Sequence, residues 1–179
     1  MIVKVVPYRA EWKQMFLEEA GRIQEALGDE LVRVFHIGST AVPGIQAKPV
    51  IDMMPVVKDI QKLDAYHSAF VALGYEPMGE YGIPGRRFYR KGGDRRTHHI
   101  HAFQCDNAYA ILRHVAFCAY LRAFPTVREE YSALKAGLAK QFPADIEAYC
   151  DGKDAFVKKL EREALLWYWK SSGELPENR

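Results

Sequence analysis

An α/β (α+β) fold, a mixed β-sheet flanked by helices with a helical C-terminal part, is the class this sequence predicts. Three observations predict it. An amphipathic pattern opens the chain, β-branched and aromatic runs separated by Gly/Pro-rich turns fill the first hundred residues, and helical periodicity dominates from Asn107 onward. A chain of 179 residues with 49% hydrophobic content buries about 70% of the surface its unfolded form exposes, enough for one core. One domain over residues 1–170 is therefore expected, followed by a polar tail over 171–179 whose composition predicts disorder.

Trp12, Phe16, Ile23 and Leu27 recur at helical spacing with Glu18, Glu19, Arg22 and Glu25 on the other face, so a helix is predicted from about Arg9 to Leu27, stopped by Gly28. "LVRVFHI" reads as a strand ending at Gly38, and "PVIDMMPVV" as a second strand buried on both faces. The stretch "HIGSTAVPGIQAKPVID", His36 to Asp52, joins the two. Asp59 as cap, Leu63, Tyr66, Phe70 and Leu73 at helical spacing and Gly74 as stop predict a helix crossing the sheet. "KGGD" predicts a hairpin turn between "RRFYR" and "RRTHHIHAF". Beyond Asn107, helices are punctuated by Pro125, Pro143 and Asp151-Gly152, with each proline suited to the first turn of a new helix. Phe156, Leu160, Ala164 and Trp167 mark the apolar stripe of the last one.

Composition excludes several functions. A net charge of +2 lacks the basic excess of a general nucleic-acid binder. "AYAILRHVAFCAYLRAF" is interrupted by Arg113, His114 and Arg122, so it cannot span a membrane, and the N-terminus carries no signal-type apolar core. Cys105, Cys118 and Cys150 are odd in number and widely spaced, which suits reduced core thiols in the cytoplasm better than disulfides or structural zinc.

Chemistry is concentrated in the loop before Asp52. A Gly at a strand end lets the backbone approach a phosphate, and Ser39, Thr40 and neighbouring N–H groups can donate to its oxygens. Asp52 on the next strand can hold a divalent metal against the same phosphates. The same residue types also suit an ordinary turn. In "HHIH", strand alternation puts His99 and His101 on one face, so with Asp52 on a neighbouring strand they would form a two-histidine, one-carboxylate set, with His36 nearby. Such a set suits zinc, manganese or iron better than magnesium; hydrogen bonding within a polar layer is the alternative. Among the arginines near Gly92-Gly93, Arg87 and Arg96 are the expected phosphate partners, with Lys48 a third, while Arg86 and Arg90 fall on the face opposite Arg87. Tyr131 and Lys135 lie four apart and share a helix face, where packing accounts for them more simply than ligand contact.

"HIGSTAVPGIQAKPVIDMMPVV" together with "RTHHIHAF" resembles the signatures of the GrpB family, a group similar to the nucleotidyltransferase superfamily, and the likeness extends from "VPYRAEW" to "YLRAFPTVREEYSALKAGLA". The resemblance implies a nucleotidyltransferase-like fold, and in some bacteria such domains are fused to dephospho-coenzyme A kinase. In the superfamily pattern a Gly-Ser turn precedes a strand bearing an acid, an apolar residue and a second acid. Gly38 and Ser39 match the turn and Asp52 the first acid, but Met54 stands where the second should be. Loop and resemblance together point to a nucleotide or another phosphorylated small molecule as partner and to Ser39 and Asp52 as catalytic residues, with a divalent metal, magnesium, manganese or zinc, as a candidate cofactor once the histidines are counted. A non-catalytic binding or accessory module of the same fold is the alternative that Met54 favours, and metal-dependent phosphate hydrolysis is the third reading.

Overall fold

The computed structural model describes residues 2–171; the predicted polar tail, apart from its first residue, lies outside them. Helix α1 (Glu11–Leu27) buries Trp12, Phe16, Ile23 and Leu27 and ends at Gly28, as its periodicity predicts. Strand β1 (Leu31–Ile37) follows, and β2 (Ile51–Val57) comes after the signature loop. A short helix α2 (His67–Ala72) and strand β3 (Tyr75–Pro77) lead to β4 (Arg86–Lys91) and β5 (His98–Gln104), paired antiparallel across the Gly92-Gly93 turn. The sheet order is β1-β2-β5-β4-β3. Among the strand pairs of the described residues, β2 and β5 alone run parallel, with Asp52 opposite His99, and the others are antiparallel.

Alternation divides the sheet into two faces. On one, Ile51, Met53, Tyr89, Ile100 and Ala102 pack against Trp12, Ile23 and Leu27 of α1 and Phe70 of α2. On the other, Ile37, Met54 and Phe103 pack against α3 (Ala108–Ala123), α4 (Pro125–Gln141) and α5 (Ile146–Lys170) through Val115, Leu121, Tyr131 and Leu160. With both faces covered, β2 is continuously apolar except at Asp52. No helix of the described residues is long and apolar enough to cross a membrane.

Four local expectations change. The segment after Asp59 is not one long helix: a 3-10 turn (Lys62–Tyr66) precedes α2, because Asp59 accepts from the backbone of Gln61 while its own N–H and that of Ile60 are taken by Glu30 and Gln104. Pro143 does not open a helix; Asp145 caps α5 by accepting from Glu147 and Ala148, and the Pro143 carbonyl accepts from the Val3 N–H. Asp151-Gly152 does not break α5. Gly152 is where α5 meets α4, and a Cβ there would lie 2.4 Å from Leu138. Of the three free thiols only Cys118 is buried.

Candidate functional site

The signature loop is held on three sides. Val6 and Ala47 form an isolated antiparallel bridge, Arg122 of α3 donates to the Ala41 carbonyl at 2.7 Å, and Ser132 of α4 accepts from the Gln46 N–H at 3.1 Å. Gly38 has φ 69° and ψ −171°, a combination almost confined to glycine. A Cβ at this position would lie 2.7 Å from Asp52 Oδ2, so glycine here sets how closely the turn approaches the carboxylate. The 3-10 turn Ser39–Ala41 then presents Ser39 to a cleft of about 380 Å3 between the sheet and helices α3, α4 and α5.

Asp52, His99 and His101 stand together on the cleft floor. Asp52 Oδ1 lies 3.2 Å from His99 Nδ1 and 3.3 Å from His101 Nε2. Burial alone would push the Asp52 carboxyl up, but the hydrogen bonds from His101 and His99 outweigh it and hold it well below the usual carboxylate range. Arg86 settles the tautomer of His101. Its Nη1, which can only donate, is 3.2 Å from His101 Nδ1. That nitrogen accepts, and Nε2 carries the proton shared with Asp52. Arg86 is itself held by the carbonyls of Glu80 and Tyr81.

The opposite wall supplies cations. Lys135 of α4 is 2% exposed, donates to Ser39 Oγ at 2.9 Å, lies 4.3 Å from the centre of the Tyr131 ring, and has no carboxylate partner among the described residues. Burial first, and then the charge of Lys153, lower its ammonium from 10.5 to about 7. Lys48 and Lys153 also line the cleft, whereas Glu161 is neutralised by Arg113 at 2.9 Å.

Several expected site residues stand elsewhere. Arg87 points to the opposite face of the sheet and is taken by Asp64, to which it donates at 2.7 and 3.0 Å. Arg96 lies on the hairpin, outside the cleft, with its Nε donating to the Gly93 carbonyl. Thr40 touches the cleft but is 2% exposed, and its hydroxyl donates to the Val50 carbonyl while taking a bond from His36 Nε2, so it braces the loop. His36 lies on the other face of the sheet, stacked on Phe16 at 4.7 Å. Packing accounts for Tyr131, a core residue stacked on Phe156, while its ring and Lys135 also line the cleft. Arg86, Lys153 and His114 were not picked out; for Arg86 the signal was there, since pairing across Gly92-Gly93 sets Arg90 opposite His99 and Phe88 opposite His101, on the face Arg86 shares.

A divalent ion meets mixed conditions at the Asp52 cluster. One ligand atom from each of Asp52, His99 and His101 lies within 4.8 Å of the others, close enough to share one ion. The surroundings oppose it. A metal-bound histidine normally gives its second N–H to an acceptor, yet His101 Nδ1 faces a donor and His99 Nε2 is buried without a partner. Replacing Arg86 with methionine is accordingly expected to tighten zinc binding at least tenfold in a calorimetric titration; unchanged or weaker zinc affinity would show that the guanidinium does not compete with the ion.

Fold and site together define an α/β protein with a Gly-Ser turn closed against a single acid-bearing strand. The chain belongs to the GrpB family, whose model, described as GrpB protein, matches residues 2–163. It is 42% identical over 165 residues to YqkA of Bacillus subtilis, covering 92% of this chain and 48% of YqkA, so it spans about half the length of that relative. The crystal structure of the conserved protein GrpB from Enterococcus faecalis superposes with a TM-score of 0.90 at 46% identity, covering 93% of this chain and 99% of that one. A dephospho-CoA kinase of Mycolicibacterium paratuberculosis is 29% identical over 195 residues, 95% of this chain and 47% of the kinase.

Proposed function

We propose that the cleft binds a nucleotide or another phosphorylated small molecule, with a phosphate seated between Ser39 Oγ and Lys135 Nζ. The observation that carries this reading is the buried Lys135 ammonium, which has a hydroxyl and an aromatic ring as neighbours but no carboxylate among the described residues. A buried cation without a counter-ion is costly, and an anionic ligand supplies the missing charge. Lys48 and Lys153 extend the positive wall.

Binding without nucleotidyl transfer is the better supported form of this reading. Two-metal transfer needs several carboxylates converging on the ions. Met54 is fully buried in the apolar core and Glu161 is paired with Arg113, which leaves Asp52 as the one acid of the cleft lining not held by an arginine. If a divalent ion enters, Asp52 and His99 would hold it, with His101 joining once Arg86 withdraws, and it would neutralise charge on the bound phosphate. The relatives named dephospho-CoA kinase, about half of whose length corresponds to this chain, favour a module that works beside a phosphate-handling enzyme.

Thermal unfolding with AMP, ATP and dephospho-coenzyme A, each with magnesium, manganese or zinc, tests the reading. A ligand at about a hundred times its Kd adds about 2.7 kcal/mol, which for this chain length raises the midpoint by about 5 to 10 °C. At least one compound is expected to do so, and a flat response to all would refute phosphate binding in the cleft.

A further inference from the structure

Beside the cleft lies a second, open basin of about 770 Å3, lined by Ile2, Lys4, Lys48, Arg95 and Arg96 among others, with Asp94 as its one acid. The two concavities are not separate features. Lys48 and Val50, where the signature loop enters β2, line both of them. The link is fixed by backbone, since the Ile51 N–H donates to the Thr97 carbonyl at 2.9 Å and so ties the loop to the hairpin that carries Arg95 and Arg96. Lys48 sits where both sets of charges reach it: burial is the largest cause that lowers its ammonium, Cys150 and Asp52 favour it, and Lys153 on the cleft side and Arg96 on the hairpin side each disfavour it.

The charges in this basin have no carboxylate partner among the described residues, and Lys48 meets only the Tyr149 ring, at 5.4 Å. The ion pairs of the described residues include none of Lys4, Lys48, Arg95 or Arg96, while the neighbouring hairpin cations Arg90 and Lys91 are neutralised by Glu76 and Glu19. Arg96 uses Nε on the Gly93 carbonyl, which leaves the two terminal nitrogens of its guanidinium for a ligand. Like charges gathered without counter-ions repel one another, and an anion lying across them removes that repulsion. One phosphate in the cleft would satisfy Lys135 and leave this second set unanswered.

From this continuity of unpaired charge, and resting on the phosphate reading of the cleft, we infer that the ligand carries at least two phosphate groups. One is seated at Ser39 and Lys135, and the other passes Lys48 to reach Arg95 and Arg96. A contiguous phosphate chain and phosphates at opposite ends of a small molecule share this chemistry, and two pairs of probes distinguish them: AMP against ATP, and fructose 6-phosphate against fructose 1,6-bisphosphate. Each is titrated calorimetrically into the full chain at about 0.15 M salt without divalent ions, for the wild type, Lys135→Met and the double variant Arg95→Ala/Arg96→Ala. The wild type is expected to bind the multiply phosphorylated member of at least one pair at least tenfold more tightly. The Arg95/Arg96 variant should lose that advantage while holding the singly phosphorylated member within about twofold, and Lys135→Met should weaken both members. If the singly phosphorylated probes bind through Lys135 but the Arg95/Arg96 variant keeps the wild-type advantage, the second basin is overturned and the cleft reading stands. If that variant weakens both members equally, the basin only adds general attraction and the inference falls. Absence of binding by every probe overturns the cleft reading and this inference with it.

Discussion

Lys135→Met is expected to unfold at a temperature about 3 to 10 °C above the wild type at pH 6.5 while losing phosphate binding. The opposite signs have one cause. Lys135 is buried without a counter-ion, and its folded-state ionisation near 7 lies well below the ordinary 10.5. Between those values the unfolded chain binds the proton that the folded chain releases, so stability rises with pH through this window. The penalty is complete below pH 7 and relieved as pH approaches 10.5. A shift of this size corresponds to a few kcal/mol, of which a methionine of similar shape recovers about 1 to 3 kcal/mol. The wild type should therefore close the gap to the variant between pH 7 and 10, which melting curves across that range would record. A variant less stable than wild type at every pH would mean that Lys135 is already paired.

Gly38→Ala carries the largest loss. Its backbone occupies a region that costs a residue with a side chain about 1 to 3 kcal/mol, and the new Cβ would meet Asp52 Oδ2 at 2.7 Å. Either the turn or the Asp52 carboxylate must move. We expect a loss of about 2 to 4 kcal/mol and a midpoint about 5 to 15 °C lower. The displaced carboxylate should also lose its bonds to His99 and His101, which ring-nitrogen chemical shifts of the two histidines would report. A near-neutral Gly38→Ala would show that the close approach of turn and strand is dispensable.

Periodicity made the elements of this fold readable where burial is strongest. The pattern of α1 and the boundaries of β1 follow from where Trp12, Ile23 and the "LVRVFHI" run must face, and the Asp52/His99/His101 cluster follows from alternation once β2 and β5 are neighbours. What sequence reasoning missed depends on tertiary partners. Arg87 had the right chemistry but the wrong face, and only the fold reveals that Asp64 takes it. His36 failed for the same reason, one residue out of phase with the cleft face. Lys135 is ninety-six positions from Ser39, and no local spacing announces that a helix lysine will be buried against a loop hydroxyl. Gly152 looked like a breaker because its role, close packing of α5 on Leu138, lies between helices.

The most direct test of a phosphate site at Ser39 and Lys135 is a calorimetric titration of AMP into wild type and Lys135→Met at pH 6.5, where the wild-type amine is still largely charged. We expect measurable binding by the wild type, weakening as pH rises above 7, and none by a variant that remains folded. Equal AMP affinity in the two proteins would contradict the account.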